Sequence, residues 1–202
     1  MKRRKNTQKT RSASPPGRLR IVAGKWRGRV LPVADVDGLR PTAARVRETV
    51  FNWLAPRLPG SRCLDLFAGT GAMGLEALSR GAAEVVFVES GRAAVTALEG
   101  AVAALEATGA DIVSADAYRW IRAEENGPFD IVFLDPPYAD DSIGELCTLL
   151  AKHDVTAAGA HVYFEQNRSQ DEPALPAGWS IHKNKTAGQV RYALAATPST
   201  LR

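Results

Sequence analysis

The sequence predicts an α/β fold: a central, mostly parallel seven-stranded sheet with a C-terminal antiparallel hairpin, preceded by a small N-terminal β-hairpin and helix. Three observations carry this. Apolar runs of strand length alternate with helical stretches from Arg62 onward. The first run leads into Gly69-Thr70-Gly71-Ala72-Met73-Gly74, a glycine turn that opens a helix. The last two runs, Trp179–His182 and Arg191–Ala195, follow one another with no helix between them.

The stretch Met1 to Gly17 is polar and basic and ends in Ser-Pro-Pro-Gly, so it reads as a flexible arm. Next, Ile21-Val22 and Val30-Leu31 flank Gly24-Lys25-Trp26-Arg27-Gly28, the pattern of a hairpin with a basic loop. Trp26 among Lys25, Arg27 and Arg29 combines a stacking surface with phosphate-binding charge; its alternative role is to pack the hairpin onto the core. Arg40-Pro41-Thr42 then leads into a helix over Ala43 to Leu54, with Thr42 as N-cap and Val46, Val50, Trp53 and Leu54 on one face. Arg45 and Arg47 lie off that stripe and, with Arg40, can reach a bound anion. Pro56, Pro59 and Gly60 mark a linker. Strands are expected near Arg62–Phe67, Glu84–Glu89, Asp111–Ser114, Asp130–Leu134 and His161–Gln166, with a helix over Ala93–Thr108. The chain therefore divides into a basic tail (1–18), an RNA-binding hairpin and helix (19–58) and a main domain (59–202).

Charge is distributed unevenly along the chain. Eleven lysines and arginines and no acids precede Asp35, which leaves 15 bases against all 22 acids beyond it, a net of −7. A basic arm on an acidic body is an electrostatic footprint for nucleic acid, though such a block can also be a solvated tail. No run approaches the roughly 18 apolar residues of a membrane span, and the N-terminus lacks the apolar core of a secretory signal. Cys63 and Cys147 fall at strand and helix positions and read as buried small hydrophobes in a reducing compartment. With His153, His161 and His182 they offer no metal-ligand spacing, so no metal is expected.

Carboxylates mark the carboxyl ends of successive strands, where open α/β sheets bind ligands. Asp65 lies just before the glycine turn. Glu89 ends the next strand, about twenty residues past the glycines, where an acid can accept both ribose hydroxyls. Asp116 follows the third strand, and Asp135-Pro136-Pro137-Tyr138 the fourth. Any one such acid could cap a helix; four in successive βα turns point to a site. The glycines and Glu89 alone would also suit a nicotinamide dehydrogenase, and Asp-Pro-Pro-Tyr decides against that.

With these motifs the chain resembles a Rossmann-like class I S-adenosylmethionine-dependent methyltransferase. Asp65-x-Phe67-x-Gly69-x-Gly71 matches the cofactor motif of that superfamily. Asp135-Pro136-Pro137-Tyr138 matches the motif of its members that methylate planar nitrogens. Arg20 to Gly28 and Arg40-Pro41-Thr42…Arg45-Val46-Arg47-Glu48…Phe51-Asn52-Trp53-Leu54 are similar to the RsmD family. That family methylates N2 of a guanine in bacterial small-subunit (16S) ribosomal RNA. The resemblance covers about Arg20 to Ala195 and leaves the first 17 residues outside.

The resemblance implies S-adenosylmethionine as cofactor, held by Asp65, Phe67, Ala68, Gly69, Thr70, Gly71, Glu89, Ser90, Asp116, Ala117 and Asp135. Glu89 would take the ribose, Asp116 with Ala117 the adenine, and Asp65 the ammonium, directly or through water. Asp135, Pro136, Pro137 and Tyr138 would form the catalytic loop, with Tyr138 stacking on the extruded base. Lys25, Trp26, Arg27, Arg29, Arg40, Arg45 and Arg47 would contact RNA. The implied partner is small-subunit ribosomal RNA in an assembled or assembling 30S particle, and the implied setting a cytoplasmic monomer. An N6-adenine methyltransferase shares Asp-Pro-Pro-Tyr but usually carries a sizeable target-recognition domain, and the stretch from Gly71 to Asp135 is already filled by two βα units. A non-catalytic RNA-binding factor on a methyltransferase scaffold is the other alternative.

Overall fold

A computed structural model describes residues 17–32, 44–123, 127–137 and 142–200. Residues 1–16 of the predicted arm and the segment holding Arg40, Pro41 and Thr42 lie outside them, as does Tyr138, whereas Arg18, assigned to the tail, begins the first strand. A two-stranded antiparallel sheet joins β1 (Arg18–Arg20) to β2 (Val30–Pro32), and α1 (Ala44–Leu54) follows. The main sheet holds β3 (Arg62–Asp65), β4 (Glu84–Glu89), β5 (Ala110–Ser114), β6 (Phe129–Leu134), β7 (Thr156–Asn167), β8 (Ser180–Ala187) and β9 (Val190–Ala196). Between them run α2 (Ala72–Ser79), α3 (Arg92–Ala104), α4 (Ala117–Arg122) and α5 (Ile143–Lys152).

The strand order is β5-β4-β3-β6-β7-β9-β8; the first five are parallel, and β9 runs antiparallel to β7 and β8. The chain starts in the middle at β3, winds outward through β4 and β5, then returns to β6 on the other side. That reversal opens a crevice beyond the carboxyl ends of β3 and β6, where doubly wound sheets bind ligands. Alternate side chains feed two cores. Cys63, Phe87, Phe133, Tyr163 and Tyr192 pack with α1, α2, α3 and the N-terminal hairpin. Leu64, Val88, Leu134, Phe164 and Ala193 pack with α4 and α5.

Several boundaries differ from the sequence reading. The N-terminal hairpin pairs Arg18–Arg20, not Ile21-Val22, with its second strand. Ile21 closes the ladder by donating to the Arg29 carbonyl, while the Val22 and Ala23 amides turn away to α2. Helix α3 stops at Ala104 rather than Thr108, because Glu106 adopts a left-handed conformation (φ 48°). Strand β8 runs five residues beyond His182; its Lys183 to Thr186 are exposed, so they carry no apolar alternation for a sequence reading to detect.

All eight residues of α2 are buried, the polar ones included. Glu76, with no exposed surface, accepts the Val22 and Ala23 amides at 2.8 and 2.9 Å and the Arg80 Nε–H at 2.7 Å. Ser79 Oγ donates to the Ala23 carbonyl and accepts the Trp26 amide, and the Ser79 carbonyl accepts the Lys25 amide. The loop lies so close that a Cβ on Gly24 would fall 1.8 Å from the Ser79 carbonyl oxygen. The hairpin is thus fixed to the helix that begins at the glycine turn. Glu76→Ala would leave the half-buried Val22 and Ala23 amides without their acceptor, each costing about 1–3 kcal/mol. Denaturant unfolding should show the variant destabilised by roughly 2–4 kcal/mol; a loss under about 0.5 kcal/mol would mean that the anchor is elsewhere.

Candidate cofactor and target-base site

Strand β3 delivers the glycine turn to the crevice. Gly69 and Gly71 have φ of 51° and 72°, and a Cβ on Gly71 would come within 2.4 Å of Leu98 Cδ1. Both the turn and its seat on α3 therefore require glycine. Phe67 and Thr70 are half-buried, and Ala68 is buried with its amide donating to the Val88 carbonyl.

Asp65 lies beneath the turn, 3% exposed, and accepts the Gly74 amide at 2.9 Å. Burial pushes its carboxyl up to about 7, the neighbouring negative Glu89 adds to the rise, and the Gly74 hydrogen bond opposes it. Asp65 thus ties β3 to the first turn of α2. Glu89 is half-buried at the end of β4; its Oε2 accepts the Gly69 amide at 2.8 Å and its Oε1 the Gly91 amide at 2.6 Å. Two backbone donors hold that carboxylate rigidly at the rim of the crevice, beside exposed Ser90. Asp116 Oδ1 accepts the Arg119 amide at 2.9 Å, so this acid does cap α4; it remains exposed, with buried Ala117 behind it.

Asp135, half-buried, directly follows β6, with Pro136 buried and Pro137 exposed. Phe133 packs in the same core as Phe87 and Cys63, so strand alternation places Asp135 on the sheet face that also carries Glu89 and Asp65. The glycine turn, Glu89 and the Asp-Pro-Pro loop thus meet at the carboxyl ends of adjacent strands.

The expected RNA contacts divide. Lys25, Arg27 and Arg45 are exposed. Trp26 is not a stacking surface: it is 9% exposed, packs in the core and carries Lys25 Nζ 4.1 Å from its ring centroid. Arg47 does not face solvent either; it is 2% exposed, and its Nη2 donates to the Arg20 carbonyl. Burial lowers the pKa of its guanidinium, with negative Glu76 opposing that effect. Arg29 is exposed, but its Nη2 donates to the Ala104 carbonyl and so caps the C-terminus of α3.

The sequence reading missed Glu76, Ser79 and Glu165. A lone carboxylate inside the apolar helix Ala72–Ser79 was the available signal for Glu76. Glu165 ends the fifth apolar run much as Asp135 follows the fourth, and continuing the count of strand-end acids would have reached it.

The residues present fit S-adenosylmethionine. Carboxylates suit a ligand whose sulfonium and ammonium are cationic, Glu89 offers paired acceptors for a ribose diol, and the glycine turn admits close backbone approach. Fold and site together define a class I S-adenosylmethionine-dependent methyltransferase.

Residues 19–196 match the family model described as conserved hypothetical protein 95. The chain is 46% identical over 181 residues to ribosomal RNA small subunit methyltransferase D of Escherichia coli K12, covering 90% of this chain and 91% of that protein. It is 39% identical over 191 residues to the Haemophilus influenzae protein of the same name, covering 93% and 98%. A solved Escherichia coli chain, described as a methyltransferase, superimposes with a TM-score of 0.85 at 43% identity, covering 91% of this chain and all of that one. The chain belongs to the ribosomal RNA small subunit methyltransferase D family.

Two measurements check the site. Glu89→Ala should weaken cofactor binding about tenfold or more through lost charge-assisted hydrogen bonds; an unchanged dissociation constant in calorimetry would refute the assignment. Because folding raises the Asp65 pKa from 3.8 to about 7, its protonated form favours the folded state. That contribution is complete below about pH 4 and is lost as pH rises towards 7. Asp65→Asn cannot ionise, so the stability of the native chain relative to this variant should fall across that window in denaturant melts.

Proposed function

We propose that this chain transfers a methyl group from S-adenosylmethionine to the exocyclic N2 of a guanine in small-subunit (16S) ribosomal RNA. The observation that carries the reading is the Asp135-Pro136-Pro137 loop, one strand from the glycine turn and on the same sheet face as Glu89. Family membership, through relatives named for small-subunit ribosomal RNA, supports the substrate class.

A guanine 2-amino group is a poor nucleophile because its lone pair is delocalised into the ring. The Asp135 carboxylate and the Pro136 carbonyl are the acceptors that would draw the nitrogen towards tetrahedral geometry and aim its lone pair. Consecutive prolines restrict the loop, so the acceptors need not be ordered during reaction. The cofactor, when bound, supplies an electrophilic methyl on a sulfonium; Glu89 and the glycine turn would hold it, with Asp116 and Ala117 at the adenine. Alignment of the partners contributes up to roughly 7–11 kcal/mol in such reactions. Asp135 serves chiefly as an acceptor and takes a proton only as the new bond forms. Tyr138 would stack on the extruded base.

The hairpin and α1, within residues 19–58, are proposed as the RNA-contacting part, through Lys25, Arg27, Arg45 and Arg40, and residues 59–202 as the methyl-transfer domain. A monomer acting on an assembled or assembling 30S particle is the corresponding partner, in the cytoplasm. Two free, buried thiols, Cys63 and Cys147, accord with a reducing compartment, and among the described residues no helix is long and apolar enough to cross a membrane. The proposed chemistry uses no metal.

Asp135→Ala should abolish transfer of tritium from labelled cofactor to small-subunit RNA, with cofactor affinity nearly unchanged in calorimetry. Comparable loss of cofactor binding would move Asp135 out of the target-base role.

A further inference from the structure

An Asp-Pro-Pro loop recognises an exocyclic amine, and the 6-amino group of adenine satisfies it as well as the 2-amino group of guanine. The two bases differ at the adjacent ring nitrogen. Guanine N1 carries a hydrogen, whereas adenine N1 presents a lone pair. A site selective for guanine therefore needs a second acceptor beside the one that holds the amine.

Strand β7 supplies one. Leu134 of β6 pairs in register with Phe164 of β7, so the next position on each parallel strand sets Glu165 level with Asp135. The Tyr163 hydroxyl donates to Glu165 Oε1, and Tyr163 packs in the core with Phe133, so Glu165 lies on the same sheet face as Asp135. Neighbouring strands are about 4.8 Å apart, and glutamate is one methylene longer than aspartate. The two carboxylates can therefore meet adjacent atoms of one purine edge. Across β9, Glu165 is opposite Tyr192, whose ring stacks on Trp53 at 5.6 Å, giving that side an aromatic wall.

We infer that Glu165 accepts the N1–H of the target guanine and thereby selects guanine over adenine. This rests on the methyl-transfer reading above. The carboxyl group carries several acceptor sites on its two oxygens, so holding the Tyr163 hydroxyl on Oε1 does not exhaust them. With only 5% of the residue exposed, the carboxylate is screened little by water. A base offering a lone pair there would face the lone pairs of a fixed carboxyl oxygen, a mismatch of the kind that rejects analogues strongly. Tyr163 is a positioning residue that holds the carboxylate in the plane of the base edge.

The test uses the full chain and small-subunit particles whose mapped target guanine is kept or replaced by 2-aminopurine, which retains the 2-amino group but has no hydrogen on N1. Tritium transfer from labelled cofactor gives kcat/KM for each. Native enzyme should prefer guanine by about a hundredfold or more. Glu165→Gln, whose amide can donate to a bare N1, should narrow that preference about tenfold or more with the cofactor dissociation constant unchanged. Tyr163→Phe should narrow it less. If Glu165→Gln slows both substrates by the same factor, Glu165 is only structural and the inference fails. Native enzyme that accepts both bases equally overturns it as well, whatever the variants do. Absence of transfer to the guanine particle would instead refute the function proposed above.

Discussion

The N-terminal part of the molecule depends on a carboxylate that has no exposed surface. Glu76 lies in the middle of α2, and burying a charge there is costly unless it is paired and hydrogen-bonded. It meets that condition with two backbone amides of the hairpin loop and the guanidinium of Arg80, which also lies over the Phe51 ring of α1 at 5.0 Å. A single residue thus ties hairpin and α1 to the helix that begins at the glycine turn. Ser79, three residues further along, repeats the arrangement with neutral groups.

The other organising feature is a row of acids along one sheet face. Asp65, Glu89, Asp135 and Glu165 sit at or near the carboxyl ends of four neighbouring strands and do different work. Asp65 is buried and braces the turn, while Glu89 is held at the rim by two amides. Asp135 stands beside stiff prolines, and Glu165 is steered by a tyrosine. Their roles follow from burial and partners rather than from residue type.

This division explains which features could be read from the sequence. The glycine turn, Glu89 and Asp-Pro-Pro are local patterns whose positions follow from strand and helix periodicity, and a mostly parallel seven-stranded sheet follows from βα alternation with a terminal hairpin. The Trp26 stacking surface and the solvent-facing Arg47 were misread because exposure there is decided by contacts more than twenty residues away. Trp26 and Arg47 look like polar-face residues until α2 is placed against the loop and Arg20 over α1. Glu165 was hidden differently, within an apolar run whose end acid had no motif around it. The Lys183–Thr186 part of β8 was invisible because an exposed edge strand need not alternate.

The approach of Gly24 to the Ser79 carbonyl has a consequence for protein engineering. Enzymes with a detachable recognition module can be retargeted by exchanging that module at a linker. Here the loop proposed to contact RNA and helix α2 share one interface, with no room for a methyl group between Gly24 and the Ser79 carbonyl. A hairpin grafted from a relative would have to bring its own matching helix, and with it the glycine turn. Retargeting by modular exchange would thus also replace the helix that opens at the glycine turn.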